Sequence, residues 1–319
     1  MESIQERLGA IGIVPVIKIE DASSALPLAE ALIAGELPVA EITFRTEAAA
    51  DAISAIAKAR PDVIVGAGTV ISVDLAKKAV DSGASFLVSP GFNPAVVDWC
   101  LSRGVAIVPG VSTPSEVEAA VERGLTALKF FPAEAAGGVA MLDALSGPFG
   151  SVRFMPTGGI DLANLGDYAR RKNVFAVGGS WMAPADLIAA GNWDEIEARS
   201  RQARLAVQGF SFAHVGINTE SAEAAAGAAS SFEAFSLPRK EGSSSIFSGT
   251  VIETMKSPFR GTKGHLGFSC WSCERAIAYL KAKGFTPVPE TIKTEGGRIQ
   301  VAYMEQEIAG FAVHLVRAK

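Results

Sequence analysis

Between about residue 11 and residue 181 the chain repeats one pattern eight times, a short apolar run followed by a longer alanine-rich amphipathic stretch. The apolar runs are 13–18, 39–43, 63–67, 86–89, 106–109, 127–131, 152–155 and 175–177, with helical stretches such as 22–34, 48–59, 74–82 and 115–123 between them. Apolar runs of strand length alternating with helices indicate parallel β/α units, because parallel strands are covered on both faces. Eight such units predict an α/β fold, a closed (β/α)8 TIM barrel, for which about 200 residues is the compact end. A doubly wound open sheet would want a glycine-rich phosphate turn after its first strand, and Ile17-Lys18-Ile19-Glu20 is not one.

The pattern stops after a charged helix at 193–207, and Gln208-Gly209 reads as a junction. The expected organisation is a barrel domain over 1–207 and a smaller α+β domain over 208–319. A net charge of −5 gives no electrostatic footprint for nucleic acid. No stretch approaches the roughly 20 apolar residues of a membrane span. Residues 1–7 lack the basic-then-apolar pattern of a secretory signal. Three cysteines argue against a disulfide framework and fit a reducing compartment, so a cytoplasmic location is expected.

In a barrel of this kind the site forms at the C-terminal ends of the strands. There the sequence places Glu41-Ile42-Thr43-Phe44-Arg45-Thr46, Gly66-Ala67-Gly68-Thr69, Ser89-Pro90-Gly91, Lys129, Pro156-Thr157-Gly158-Gly159-Ile160 and Gly178-Gly179-Ser180-Trp181. Lys129 stands alone among apolar neighbours in the sixth run. Desolvation disfavours an ammonium, and a neutral amine can attack a ketone to form a Schiff base. Alternatively such a lysine snorkels its head to the strand end. Lys18 ends the first run and is the rival nucleophile, but Glu20 and Asp21 follow it and would hold its proton on.

Glycine pairs after the seventh and eighth strands, each entering a helix, free backbone N–H groups to cradle a phosphate. Singly, each would be a tight turn. All three histidines lie in the last third of the chain, so proton transfer in the barrel falls to Glu, Asp, Lys, Tyr or water. One buried lysine, a glutamate, an arginine and a phosphate cradle suit a phosphorylated keto acid. A surface salt bridge is the plainer account of Glu41 and Arg45.

These motifs, together with Pro15-Val16-Ile17 and Lys129-Phe130-Phe131-Pro132-Ala133-Glu134, resemble over about residues 1–205 the KDPG/KHG aldolases. That family consists of class I lyases acting on 2-keto-3-deoxy-6-phosphogluconate and 4-hydroxy-2-oxoglutarate. The resemblance implies that Lys129 forms the imine with the C2 ketone and that Glu41 is the general acid/base. It implies that Arg45 and Thr69 hold the pyruvoyl carboxylate, and that Pro90 and Phe131 shape the pocket. Gly158, Gly159, Gly179 and Ser180 would bind the phosphate. It further implies a small-molecule substrate, pyruvate as product, a trimeric assembly and no cofactor, since the imine replaces a Lewis acid. The competing activity is a phosphate-binding barrel isomerase or epimerase, which needs the cradle but no buried lysine.

The last third carries a faint repeat. His214-Val215-Gly216-Ile217 and His265-Leu266-Gly267-Phe268 lie 51 positions apart (265 less 214), with Glu223 and Glu274 at the same offset. Two copies of one unit predict paired βαβββ modules. This resembles the vicinal oxygen chelate (glyoxalase-like) superfamily, which implies a divalent metal held by His214, Glu253, His265 and His314. That superfamily usually has Glu at the last position, so His314 departs from it. Imidazole and carboxylate are ordinary ligands for Zn²⁺, Fe²⁺ or Mn²⁺. The alternatives are a regulatory or ligand-binding module without metal, or an oligomerisation surface. Cys270-Trp271-Ser272-Cys273 begins a helix and reads as packing, with a redox pair as the sharper alternative.

Overall fold

The computed structural model describes residues 3–318, and the chain divides into two compact units between Val207 and Gln208. No helix of the described residues is long and apolar enough to cross a membrane.

The first unit is a curled parallel sheet with helices between its strands. The strands are β1 (Ile13–Ile17), β2 (Val39–Thr43), β3 (Ile64–Gly68), β4 (Leu87–Val88), β5 (Ile107–Val108), β6 (Gly110–Val111), β7 (Ala127–Phe130), β8 (Arg153–Pro156) and β9 (Val177–Gly179). They pair in the orders β5-β4-β3-β2-β1-β9 and β6-β7-β8. Parallel bridges also join Phe154 to Val174 and Thr157 to Gly178. The run at 106–109 forms only β5, and β6 follows as a strand the run did not include, separated from it by Pro109, which has no N–H to give a ladder. The last strand starts at Val177, two residues later than its apolar run, and extends through the glycine pair.

Side-chain alternation sorts each strand into two faces. In β2, Ala40 and Ile42 join Leu28, Leu32 and Ile53 in the apolar layer under the helices. Burying a side chain the size of Ile42 contributes roughly 1.5–3 kcal/mol. Val39, Glu41 and Thr43 therefore face the other way, yet every residue of β2 is buried. In β7 the same alternation puts Lys129 opposite in sense to Leu128 and Phe130, and Phe130 packs edge-on against Phe154. Glu41 has Gly66 of β3 beside it in register, and Lys129 has Gly110 of β6. Small residues thus flank both charged groups, leaving them room. Side-chain caps such as Ser72, Asn93 and Thr113 start the intervening helices.

The second unit contains one mixed sheet. Its strands are β10 (Ser211–Asn218), β11 (Arg239–Glu241), β12 (Ser245–Ser248), β13 (Ile252–Met255), β14 (Gly264–Cys270), β15 (Lys293–Glu295), β16 (Arg298–Ile308) and β17 (Phe311–Arg317). Helices Ala222–Glu233 and Cys273–Lys281 follow β10 and β14, and the sheet order is β11-β12-β13-β10-β14-β17-β16-β15. The triple serine at 243–245 is only partly loop, since Ser245 already pairs with Met255.

Candidate active site

Lys129 and Glu41 are 88 positions apart in sequence, and Lys129 Nζ donates to Glu41 Oε1 at 3.2 Å. Both are buried, at 5% and 1% exposure. The apolar surroundings read from the neighbours of Lys129 are therefore incomplete, because the sheet adds a carboxylate. Glu41 Oε2 is buried with no hydrogen-bond partner among the described residues, so one oxygen of the carboxylate is held by the amine and the other remains available. A buried polar atom without a partner is costly and calls for a functional explanation. Lys18, the rival amine, is half exposed and ion-paired with Glu20 at 2.6 Å.

The other residues named from sequence fall around this pair in three groups. The Phe131 ring lies under the Lys129 ammonium, 5.3 Å from Nζ to its centroid. Arg45 is exposed and its Nε donates to Thr69 Oγ1 at 3.3 Å. It does not pair with Glu41, which removes the surface salt bridge as an account of the two. Thr69 holds a left-handed backbone with φ 59°. For a β-branched residue that conformation costs on the order of 1–3 kcal/mol and marks a constrained position. Pro90 follows β4, and its carbonyl packs so closely on Gly110 that no side chain fits there.

Gly158 and Gly159 form a left-handed turn after β8, with φ 101° and 78°. Its two carbonyls are already engaged, Gly158 O by the Glu134 N–H at 3.1 Å and Gly159 O by Asn164 Nδ2 at 3.0 Å. Gly179 ends β9 beneath the Trp181 ring, and Ser180 follows it, exposed. Three residues were given no role by the sequence reading. The Glu134 carboxylate accepts from the buried Tyr168 hydroxyl, and burial followed by this contact pushes the Tyr168 phenol up. Gly68 gives Glu41 its space. Glu134 and Gly68 stand in quoted motifs, but Tyr168 carries no local signal.

The family model described as KDPG and KHG aldolase matches residues 4–199 of this chain. The chain belongs to the KDPG/KHG aldolase family. The 2-dehydro-3-deoxy-phosphogluconate aldolase of Treponema pallidum (strain Nichols) is 50% identical over 202 residues, covering 63% of this chain and 96% of that protein. The KHG/KDPG aldolase of Escherichia coli (strain K12) is 47% identical over 191 residues, covering 60% and 90%. Among solved structures, the KDPG aldolase from Legionella pneumophila, with pyruvate captured at low pH as a covalent carbinolamine intermediate, is 39% identical. It covers 64% of this chain and 99% of its own, with a TM-score of 0.62. A KDPG/KHG aldolase is an aldehyde-lyase of the Schiff-base type, and the imine, as electron sink, makes a metal unnecessary to that chemistry.

The matches to these relatives cover about the first two thirds of the chain, and a second cluster lies outside them. His214 Nε2 is 3.2 Å from His265 Nε2 and 3.0 Å from His314 Nε2. Glu253 Oε2 is 3.1 Å from His265 Nε2 and 3.4 Å from His214 Nε2. The three histidines singled out from the sequence therefore meet, and Glu253 contacts two of them, His265 and His214. Burial pushes His214 down, and it pushes His314 down to about 3 with the neighbouring histidines adding to the effect. Both imidazoles are thus neutral near pH 7. Cys270 and Cys273 are buried with their sulfurs 3.7 Å apart, and neither belongs to this cluster.

Proposed function

We propose that the first unit cleaves 2-keto-3-deoxy-6-phosphogluconate to pyruvate and glyceraldehyde 3-phosphate, and 4-hydroxy-2-oxoglutarate to pyruvate and glyoxylate. The observation that carries this reading is the buried Lys129–Glu41 pair at 3.2 Å. Glu41 takes a proton from the Lys129 ammonium, and the freed amine adds to the C2 ketone. Glu41 returns that proton to the carbinolamine hydroxyl, which leaves as water, giving a protonated imine and a carboxylate ready to act again. Glu41 then removes the C4 hydroxyl proton, directly or through water, as the C3–C4 bond breaks. The bonding electrons flow into the imine and form an enamine, while the aldehyde leaves. Protonation at C3 and hydrolysis of the imine release pyruvate and restore the amine.

Arg45 and Thr69 hold the pyruvoyl carboxylate, a task for which a planar guanidinium fork is suited. Pro90 and Phe131 bound the pocket. Gly158, Gly159, Gly179 and Ser180 receive the phosphate of the longer substrate. The strands close into a (β/α)8 barrel, a reading supported by β5 continuing into β6 across Pro109 and by the bridge between Thr157 and Gly178. The family resemblance adds a trimer, testable by light scattering, and a cytoplasmic location, testable by fractionation.

Borohydride reduction in the presence of pyruvate tests the chemistry. Covalent labelling of the protein is expected, and its loss in Lys129→Ala with the fold intact. No labelling of the native protein would favour an isomerase or epimerase, and labelling that persists in the variant would point to Lys18.

We propose further that the second unit consists of paired βαβββ modules and binds a divalent metal through His214, Glu253, His265 and His314. The supporting observation is that a ring nitrogen of each of the three histidines lies within 4.8 Å of the other two, with Glu253 against His265 and His214. Donors about 2.1 Å from a common ion stand about 3.0–3.4 Å apart in octahedral or tetrahedral arrangements, the spacing of the four contacts here. Metal content of the purified protein, and its dependence on His265, test this.

A further inference from the structure

The second unit's cluster is built by two half-sites that correspond position for position, identical at two of four positions and different at the other two. In register across the sheet, His214 of β10 lies beside Gly267 of β14, and Gly216 lies beside His265. Gly216 also neighbours Glu253 on its other side, and Gly267 neighbours His314. Beyond these, Phe247 pairs with Glu253 and Tyr303 with His314. Exchange of the two halves carries His214 to His265, Gly216 to Gly267, Phe247 to Tyr303 and Glu253 to His314. Each glycine is required, because a Cβ at Gly216 would collide with the His265 ring and one at Gly267 with His214 and His314.

Only the last correspondence changes charge. One half offers an imidazole and a carboxylate, the other offers two imidazoles. Ser245 Oγ holds Oε1 of Glu253, which leaves Oε2 as the single oxygen aimed at the histidines. A divalent cation on this set is answered by one negative charge rather than two. The nearby cations do not correct the balance, since the fields of Lys293 and Arg260 reach His314 and Tyr303, and Arg260 is itself paired with Glu290 at 2.7 Å. The approach is not sealed. The side chains of His214 and Glu253 keep 12% and 14% exposure, whereas that of His265 keeps 1%. Aromatic rings stand over the donors, Phe247 edge-on to His214 at 5.7 Å and Tyr303 tilted over His314 at 4.5 Å.

Resting on the metal reading of the second unit, we propose that this three-histidine, one-glutamate centre takes a small carboxylate anion as its exogenous ligand. The uncompensated positive charge selects the anion, and the ion's remaining coordination positions receive its oxygen. Pyruvate, the product of the chemistry proposed for the first unit, is the natural probe.

The test uses the full-length chain carrying Lys129→Ala, so that no pyruvate is captured as an imine. The protein is stripped with a chelator, reloaded with Co²⁺, and its metal content and visible spectrum are recorded during titration with pyruvate or its neutral methyl ester. One Co²⁺ per chain is expected, with saturable spectral change by pyruvate and at least tenfold weaker response to the ester. His314→Glu, which keeps a donor and adds a negative charge, is expected to retain the metal and weaken pyruvate at least tenfold. Equal response to acid and ester overturns the anion inference while leaving the metal reading intact. Unchanged pyruvate affinity in His314→Glu does the same. Absence of bound metal in the reloaded protein removes both.

Discussion

Gly68 lies directly behind Glu41: a Cβ at that position would strike the carboxylate Oε1 and stand 2.8 Å from Cγ and 2.9 Å from Cδ. The lack of a side chain at the end of β3 is therefore what lets Glu41 reach Lys129 from the neighbouring strand. Gly68→Ala is expected to leave the sheet folded, at a cost of about 1–3 kcal/mol for overpacking. Its kcat is expected to fall on the order of 10²-fold, because displacing a catalytic group by an ångström has that effect. Steady-state kinetics and urea unfolding on the same variant separate the two effects.

The Lys129–Glu41 pair also makes a stability prediction independent of catalysis. Glu41→Gln leaves an ammonium buried without its counter-charge, and breaking a buried pair from one side typically costs about 3–5 kcal/mol. Adding Lys129→Met to Glu41→Gln is expected to restore much of that loss. A double-mutant cycle by urea unfolding measures the coupling, and additive single effects would contradict it. In Glu41→Gln alone, kcat is expected to fall about 10²–10⁴-fold, the range for a positioned acid/base.

Tyr168 ties the glycine turn after β8 to the segment that follows the lysine strand. Its hydroxyl donates to Glu134, whose backbone N–H holds Gly158 O. The side-chain Cγ of Glu134 sits where a Cβ of Gly159 would come within 2.7 Å. Tyr168→Phe is expected to raise KM for the phosphorylated substrate about fivefold, the loss of roughly 1 kcal/mol of hydrogen bonding. The unphosphorylated substrate should be unaffected. Paired kinetics on the two substrates read this out, and equal effects on both would argue for a general packing role.

The histidine cluster gives the metal-free protein an acid sensitivity of definite sign. Burial, then the neighbouring His265 and His214, lowers His314 from 6.5 to about 3. Above about pH 6.5 the ring is neutral both folded and unfolded, and it contributes no pH dependence. Between about 6.5 and 3 only the unfolded chain takes up the proton, so stability of the second unit is lost progressively as pH falls through that window. Chelator-treated protein, unfolded in urea between pH 7 and 5, is expected to show this loss, and His314→Gln is expected to reduce it.

Much of the first unit was legible because its signals are local. Apolar runs of strand length and glycine pairs each occupy a few consecutive residues, and side-chain alternation assigns which side of β2 carries Glu41. Strand ends were less legible where they depend on pairing. Beyond Pro109 a further strand, β6, pairs with β7 while β5 pairs with β4, and β9 runs into its glycines because Val14 and Pro15 lie beside them in register.

The order of the amino acids by itself determined that parallel β/α units form, that polar residues and glycines gather towards their C-terminal ends, and that the last third repeats a histidine–glycine step. Tertiary structure alone decided which charges meet. Lys129 looked solitary in its strand, and its carboxylate partner arrives from 88 positions away. The reason is physical: hydrophobic periodicity is written along the chain, whereas a donor distance of 3 Å is set by strand register and by the absent side chains of Gly68, Gly216 and Gly267.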